Sequence, residues 1–175
     1  MDSAWLSLMH AWQHPLLTVA MSAVTWLGSL LVLLPLAASL GWRGPGDWRQ
    51  RLFLPLAVLG AAGLAQLLKW LVNRERPDLF PALAEIPADA SFPSAHAMQV
   101  TAFVVAWLLW RERAQHAGAL LLGGLLVGAV AVSRTYLQVH FLTDILAGIV
   151  LGLLWSSLFH RLAFWRWSGR CGTNS

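Results

Sequence analysis

The chain has 175 residues, of which 58% are hydrophobic and 11% charged, against about a quarter charged in an ordinary soluble domain. The formal charge is +4, eleven residues are Trp and one is Cys, and the mean hydropathy is +0.61. This composition excludes a disordered chain, a disulfide scaffold and a typical soluble enzyme, and indicates an integral membrane protein.

In chain order, Ser3 to Trp42 contains no Asp, Glu, Lys or Arg. His10 to Pro15 interrupts this run with polar residues. Ser3 to Trp12 therefore reads as a helix lying in the interface, with Trp5 and Trp12 at headgroup level, and the first span as about Leu16 to Leu40. No Lys or Arg precedes the apolar stretch, so no secretory signal peptide is expected. The second span runs from about Leu52 to Val72 and carries Lys69 near its far end. A long connection, Asn73 to Ser91, holds Pro77, Pro81, Pro87 and four acidic residues. It also carries Leu79, Phe80, Leu83 and Ile86, which either cover a site, touch lipid or belong to an ordinary outer loop. The third span is expected from Pro93 to Trp110, with a tight turn at Arg111 to His116. The fourth runs from Ala117 to about Ser133. Thr143 to Phe159 supplies the fifth, and its 17 residues sit at the lower limit for a crossing, so it should extend at one end. The expected fold is an all-α integral membrane protein: a bundle of about five transmembrane helices plus an N-terminal interfacial helix, forming a single domain over residues 1–175. Gly124 with Gly128, and Gly148 with Gly152, have the four-residue spacing that would let the fourth and fifth spans approach closely.

The basic residues fall in clusters. Arg43, Arg49 and Arg51 lie between apolar runs, Arg111 and Arg113 in another short connection, and Arg161, Arg166 and Arg170 in the tail. A nucleic-acid surface wants a continuous, solvated basic face, so nucleic acid is not an expected partner and the bilayer is. Five crossings put these clusters on one side, which the positive-inside rule makes cytoplasmic. The other four cations, Lys69, Arg74, Arg76 and Arg134, fall at the opposite side, together with His96, His140 and Asp144.

Ionisable residues near membrane depth are costly and usually functional. Lys69 and Arg76 are seven residues apart, two helical turns, so they share a face if the helix persists until Pro77 ends it. Two cations at one spot suit a phosphate, although snorkelling side chains are the plainer reading of the pair alone. Pro93-Ser94-Ala95-His96 opens the third span, with Ser94 as helix N-cap, free N–H groups beside it and His96 in the first turn. Ser133-Arg134 adds a third cation. His140 and Asp144, four residues apart, would stack on one helical face, where the carboxylate fixes one imidazole nitrogen and leaves the other as nucleophile or base. A structural ion pair closing a helix end is the alternative. His10, His14, His116 and His160 match no pattern and read as interfacial or loop positions. Arg74 reads as a solvated loop residue with phosphate binding as its alternative.

Lys, six residues, Arg-Pro; Pro-Ser-x-His; and Ser-Arg, five residues, His, three residues, Asp: the order and spacings from Lys69 to Asp144 resemble the three signature motifs of the type 2 phosphatidic acid phosphatase family. One departure is Ala95, where the family usually has Gly; a backbone N–H there keeps its bond to phosphate only at negative φ. The resemblance implies that Lys69, Arg76 and Arg134 bind phosphate oxygens, with Ser94 and the N–H groups at Ala95 completing the cradle. It implies His140 as nucleophile through a phosphohistidine, Asp144 as its orienting carboxylate, and His96 as the acid that protonates the leaving oxygen and then activates water. No metal or cofactor is expected, since three cations supply the charge, and Cys171 has no partner for a zinc site or an intrachain disulfide.

A site at the bilayer surface suits a membrane lipid phosphate or diphosphate. Undecaprenyl diphosphate is the first expectation, at an extracytoplasmic site in the cytoplasmic membrane. Phosphatidylglycerol phosphate, phosphatidic acid and lysophosphatidic acid are the alternatives. A lipid phosphotransferase would use the same phosphohistidine, a vanadate haloperoxidase would be soluble and larger, and a non-catalytic anionic-lipid binder or transporter would need the cations but not an oriented His–Asp pair.

Overall fold

The computed structural model describes residues 1–44, 46–86, 88–111 and 116–164; Pro87, Arg113, Arg166, Arg170 and Cys171 lie outside them. The described residues form seven helices: α1 (Asp2–Ala11), α2 (Pro15–Trp26), α3 (Leu30–Arg43), α4 (Trp48–Val72), α5 (Ala95–Trp110), α6 (Ala117–Tyr136) and α7 (Leu142–Phe164). α4, α6 and α7 are each long and apolar enough to cross a membrane, and α2 and α3 together make a fourth such unit. α5 has 16 residues, about 24 Å at 1.5 Å per residue, which is short against a hydrocarbon core of roughly 30 Å. It runs down the middle of the bundle, packed against α3, α4, α6 and α7. The outcome is a multi-pass helical membrane bundle, with α1 as the expected additional N-terminal helix.

The first span differs from expectation. It is two helices bent by 47°, not one helix over Leu16 to Leu40. The break lies where the chain presses on its neighbours: a Cβ on Gly28 would stand 2.5 Å from Val130 Cγ1 and 3.2 Å from the His96 carbonyl oxygen. Ser29 then starts α3 afresh, its hydroxyl accepting from the Val32 N–H at 3.3 Å. At the other end of α2, Pro15 takes the first helical position and the His14 ring accepts from the Leu16 N–H, as a helix start favours. α7 extends to Phe164, so the fifth span gains its length at its C-terminal end.

Two stripes of small residues set the packing around α5. On α4, Ala57, Ala61 and Ala65 are fully buried at four-residue intervals. On α7, Gly148, Gly152 and Ser156 repeat the spacing, and all three are buried. A Cβ on Gly148 would come within 2.7 Å of the Ser94 carbonyl oxygen, and one on Gly152 within 2.7 Å of that of Met98. Ser156 donates to the Ala102 carbonyl at 2.9 Å one turn further on. Such close backbone approach is the usual role of small residues in membrane helices. The partner is a correction: this pair brings α7 onto α5, not onto α6. Gly124 and Gly128 meet nothing within 4 Å, and it is Gly123 that faces Val104.

Overpacking a tight contact costs about 1–3 kcal/mol, so Gly148→Val should lower the thermal midpoint in detergent clearly. Gly124→Val should change it little, because its side chain enters open space.

Candidate active site

The α4 stripe continues by one more turn to Lys69, which is why a lysine at this depth is buried with only 3% of its surface exposed. α4 then ends sooner than the Lys69–Arg76 spacing suggested. Asn73 takes the left-handed conformation (φ 46°, ψ 42°) and donates to the Lys69 carbonyl at 2.9 Å, a cap that Asn tolerates better than most residues. Arg76 is therefore not on the helix face of Lys69; it folds back from the connection. The two cations nonetheless converge, because both grip Asp89. Lys69 Nζ lies 3.2 Å from one carboxylate oxygen and Arg76 Nη2 lies 2.7 Å from the other. Lys69 also donates to the Ala90 carbonyl, and Arg76 to the carbonyls of Asp89 (3.1 Å) and Val139 (2.8 Å). Burial works to raise the Asp89 carboxyl, but Lys69 and Arg76 hold it below the usual carboxylate range. Arg134, in the last turn of α6, is buried. It donates to Thr25 in the last turn of α2 at 2.9 Å, and its Nε has no partner among the described residues.

His140 and Asp144 meet, but not as neighbours on one helix. α7 begins at Leu142, so His140 sits in the connection before it and Asp144 in its first turn. The buried Asp144 carboxylate accepts from the Phe141 N–H (3.0 Å), Ser91 Oγ (2.5 Å) and Arg74 Nη1 (2.6 Å). His140 Nδ1 faces that carboxylate at 3.5 Å and Ser91 Oγ at 3.4 Å, while Nε2 faces Arg76 Nη1 at 3.4 Å. Burial pushes His140 down to about 4; its bond to Asp144 opposes this, and Arg134, Arg76 and Lys69 add to it. The imidazole is thus neutral at pH 7, with one nitrogen toward the carboxylate and the other toward the cations.

Ser94 takes the N-cap position of α5, yet its hydroxyl makes no capping bond; it is buried without a partner among the described residues. Its N–H donates to the Asp144 carbonyl at 3.1 Å, tying α5 to α7. Ala95 is the first helical residue. Among the described non-glycine residues only Asn73 and Gln138 have positive φ, so the backbone at Ala95 accepts a Cβ and the departure from Gly carries no strain. A cavity of about 460 Å³ joins these groups: Lys69, Arg76, Ala95, His96, Arg134 and His140 line it near the helix ends, and Leu30, Leu59, Ala62 and Gly63 line it deeper in the bundle. Ser94 and Asp144 stand behind this wall.

Three further residues belong to the site that their sequence context does not mark as such. Arg74 is not a solvated loop residue: it pairs with Asp144 and with Asp2 (3.0 Å) and lies over the Phe141 ring at 4.1 Å. Asp89 and Ser91 carry no spacing signal, since their partners are brought to them only by folding. The connection over 73–91 is anchored rather than free, with Phe80 stacked on His10 at 4.0 Å and the Leu83 N–H bonded to the Leu137 carbonyl at 3.0 Å. Leu79 and Ile86 remain exposed. His116 precedes α6 at its N-cap, and His160 is half-buried beside Phe53 and Phe164; neither lines the cavity.

Fold and site define a helical membrane protein with three cations and two histidines around one cavity at the helix ends. The PAP2 superfamily sequence model matches residues 51–168, and the chain belongs to that superfamily as a membrane lipid phosphatase. It is 35% identical to phosphatidylglycerophosphatase B of Bacillus subtilis over 151 residues, covering 81% of this chain and 73% of that one. It is 40% identical to the decaprenylphosphoryl-5-phosphoribose phosphatase of Mycobacterium tuberculosis over 111 residues, 62% of this chain and 58% of that one. It is 28% identical to the putative undecaprenyl-diphosphatase YbjG of Escherichia coli over 148 residues, 76% and 72% of the two chains. The crystal structure of a transmembrane PAP2-type phosphatidylglycerolphosphate phosphatase from Bacillus subtilis superposes with a TM-score of 0.81 at 30% identity, covering 92% of this chain and 83% of that one. Aquifex aeolicus LpxE shares the fold, with a TM-score of 0.72 at 24% identity over 90% and 93% of the chains.

Because Asp89 occupies the facing donors of Lys69 and Arg76, a phosphate held by the same two cations would have to compete with it. Charge-assisted hydrogen bonds contribute about 1.5–3 kcal/mol, so Asp89→Asn should lower the inhibition constant of inorganic phosphate by roughly tenfold. Weaker inhibition in Asp89→Asn would show that the carboxylate instead holds the two cations in place.

Proposed function

We propose that residues 1–175 form one lipid phosphatase domain that cleaves a phosphate from a membrane lipid by way of a phosphohistidine on His140. The orientation of the His140 ring carries this reading: Nδ1 toward the Asp144 carboxylate and Nε2 toward Arg76 and the cavity. With its proton on Nδ1, toward the Asp144 carboxylate at 3.5 Å, the ring keeps on Nε2 the lone pair that attacks phosphorus once phosphate engages Arg76. Lys69, Arg76 and Arg134 take the non-bridging oxygens and stabilise the charge of the transition state, with the Ala95 N–H completing the cradle and Ser94, behind the cavity wall, supporting it through its N–H bond to the Asp144 carbonyl. As the bond from phosphorus to the leaving oxygen breaks (a phosphoanhydride in the lipid diphosphate, an ester in the phosphomonoester), His96 gives its proton to that oxygen. It then takes a proton from the water that attacks the phosphohistidine, releasing inorganic phosphate and restoring His140.

The lipid tail has an apolar path at Leu30, Leu59, Ala62 and Gly63 below the phosphate position. Undecaprenyl diphosphate is the substrate we favour, in keeping with the polyprenyl carriers named for the mycobacterial and E. coli relatives. Phosphatidylglycerol phosphate is the second reading, favoured by the B. subtilis relative, which aligns over the larger share of this chain. Arg43, Arg49, Arg51, Arg111 and Arg161 belong to the bundle end opposite the site. That distribution supports an extracytoplasmic site in the cytoplasmic membrane.

Phosphate release from undecaprenyl diphosphate and from phosphatidylglycerol phosphate should survive EDTA and disappear in His140→Ala, which would also fail to accumulate acid-labile phosphoenzyme. Full release in His140→Ala would sink the nucleophile assignment. An acceptor-dependent reaction with little free phosphate would reassign the chain to phosphotransfer. The pH dependence has a definite sign. Acid protonates the attacking nitrogen, and with His140 held at about 4 the nucleophile should limit phosphorylation only below about pH 5, while loss of the His96 proton limits it as pH rises.

A further inference from the structure

The N-terminal helix lies outside the stretch 51–168 that carries the family match, yet its first turn reaches the catalytic carboxylate's partners. Asp2 Oδ1 accepts from the Thr143 N–H at 3.1 Å, and Asp2 Oδ2 accepts from Thr143 Oγ1 at 2.7 Å and from Arg74 Nη2 at 3.0 Å. The same guanidinium gives Nη1 to Asp144 at 2.6 Å and to Thr143 Oγ1 at 2.7 Å. Thr143 is in the first turn of α7, where backbone N–H groups lack partners in their own helix and a carboxylate is favoured. Asp2 thus caps α7 from another part of the chain. Leu6, one turn along α1, is fully buried, and its carbonyl accepts from Gln138 Nε2 at 3.1 Å in the connection that carries His140.

We propose that Asp2 is a positioning residue for catalysis, acting through Arg74 and Thr143 to hold Asp144 against His140. This rests on the reading of His140 as nucleophile. Arg74 draws on Asp144 Oδ1 and leaves Oδ2 for Phe141 N–H, Ser91 and His140. Asp2 takes the other arm of the guanidinium and so fixes where that pull comes from. Without Asp2, the guanidinium has only Asp144 and Thr143 as polar partners, and the first turn of α7 loses its cap. Among the described residues no hydrogen bond or ion pair joins Asp2 to the phosphate-binding cations Lys69, Arg76 and Arg134, so the effect belongs to the nucleophile and not to phosphate binding.

The test uses the full chain in detergent micelles with phosphatidic acid as probe substrate and inorganic phosphate as inhibitor. Asp2→Ala should lower kcat by roughly 10- to 100-fold, the scale of an ångström-sized misplacement. KM and the phosphate inhibition constant should stay at wild-type values. Asp2→Asn removes the charge but keeps an acceptor for the Thr143 N–H, so its loss should be intermediate and its folding unaffected; Asp2→Glu should recover part of the rate. Wild-type kcat in Asp2→Ala, measured beside an inactive His140→Ala, would overturn this role alone. Parallel worsening of kcat, KM and phosphate inhibition with a lowered thermal midpoint would also overturn it, since general loosening does that. Retained turnover in His140→Ala would instead remove the underlying reading.

Discussion

The close approach of α7 to α5 is the constraint on which the site depends. Gly148 and Gly152 let the α7 backbone lie against the carbonyls of Ser94 and Met98, and the Ser94 N–H closes the contact on the Asp144 carbonyl. Asp144 is the residue one turn before Gly148 on the same stripe. The contact that packs the two helices therefore also fixes the carboxylate that orients His140, beside the first turn of α5 that carries His96. A side chain at either glycine would push the histidine-bearing connection away from that helix start.

The charges at this end need compensation, and the structure supplies it from the 73–91 connection and from α1. Lys69 and Arg76 share Asp89; Arg74 is shared between Asp144 and Asp2. Lys69 and Asp144, the buried charges in these pairs, are thereby compensated, as burial near membrane depth requires, whereas the buried Arg134 has only the Thr25 hydroxyl among the described residues. The two pairings differ in consequence. The Asp89 carboxylate lines the cavity, so under the proposed function the substrate phosphate would exchange with it. Asp144 is wholly buried behind the wall, so its pairing is fixed and serves geometry.

Legibility of the site in the sequence followed the range of the interaction. Lys69, Arg76, His96, Arg134, His140 and Asp144 were singled out because they depart from an apolar background at positions matching a family's spacings, and folding gathers them at one end of the bundle. Their local geometry was less legible. Arg76 was expected on a helix that in fact ends at Asn73, and His140 on a helix that begins only at Leu142. Arg74 reads in sequence as a loop residue in the spacer between Lys69 and Arg76, and its partners, Asp2 and Asp144, are 72 and 70 positions away. Nothing in a linear spacing marks such a pair.

By itself the sequence determined the membrane class, the helical bundle, the order of its spans and the chemistry gathered at one end. Those properties follow from hydrophobicity, from the obligatory pairing of backbone polar groups in lipid and from charge placed where it is costly. Tertiary structure alone decided which faces meet. Gly148 and Gly152 were legible as a small-residue pair but not as the seat of α5, and the bend at Gly28 arose from contact with Val130 and His96. Asp2, Arg74, Asp89 and Ser91 became part of the site for the same reason: polar groups buried away from water take the partners that folding puts within reach.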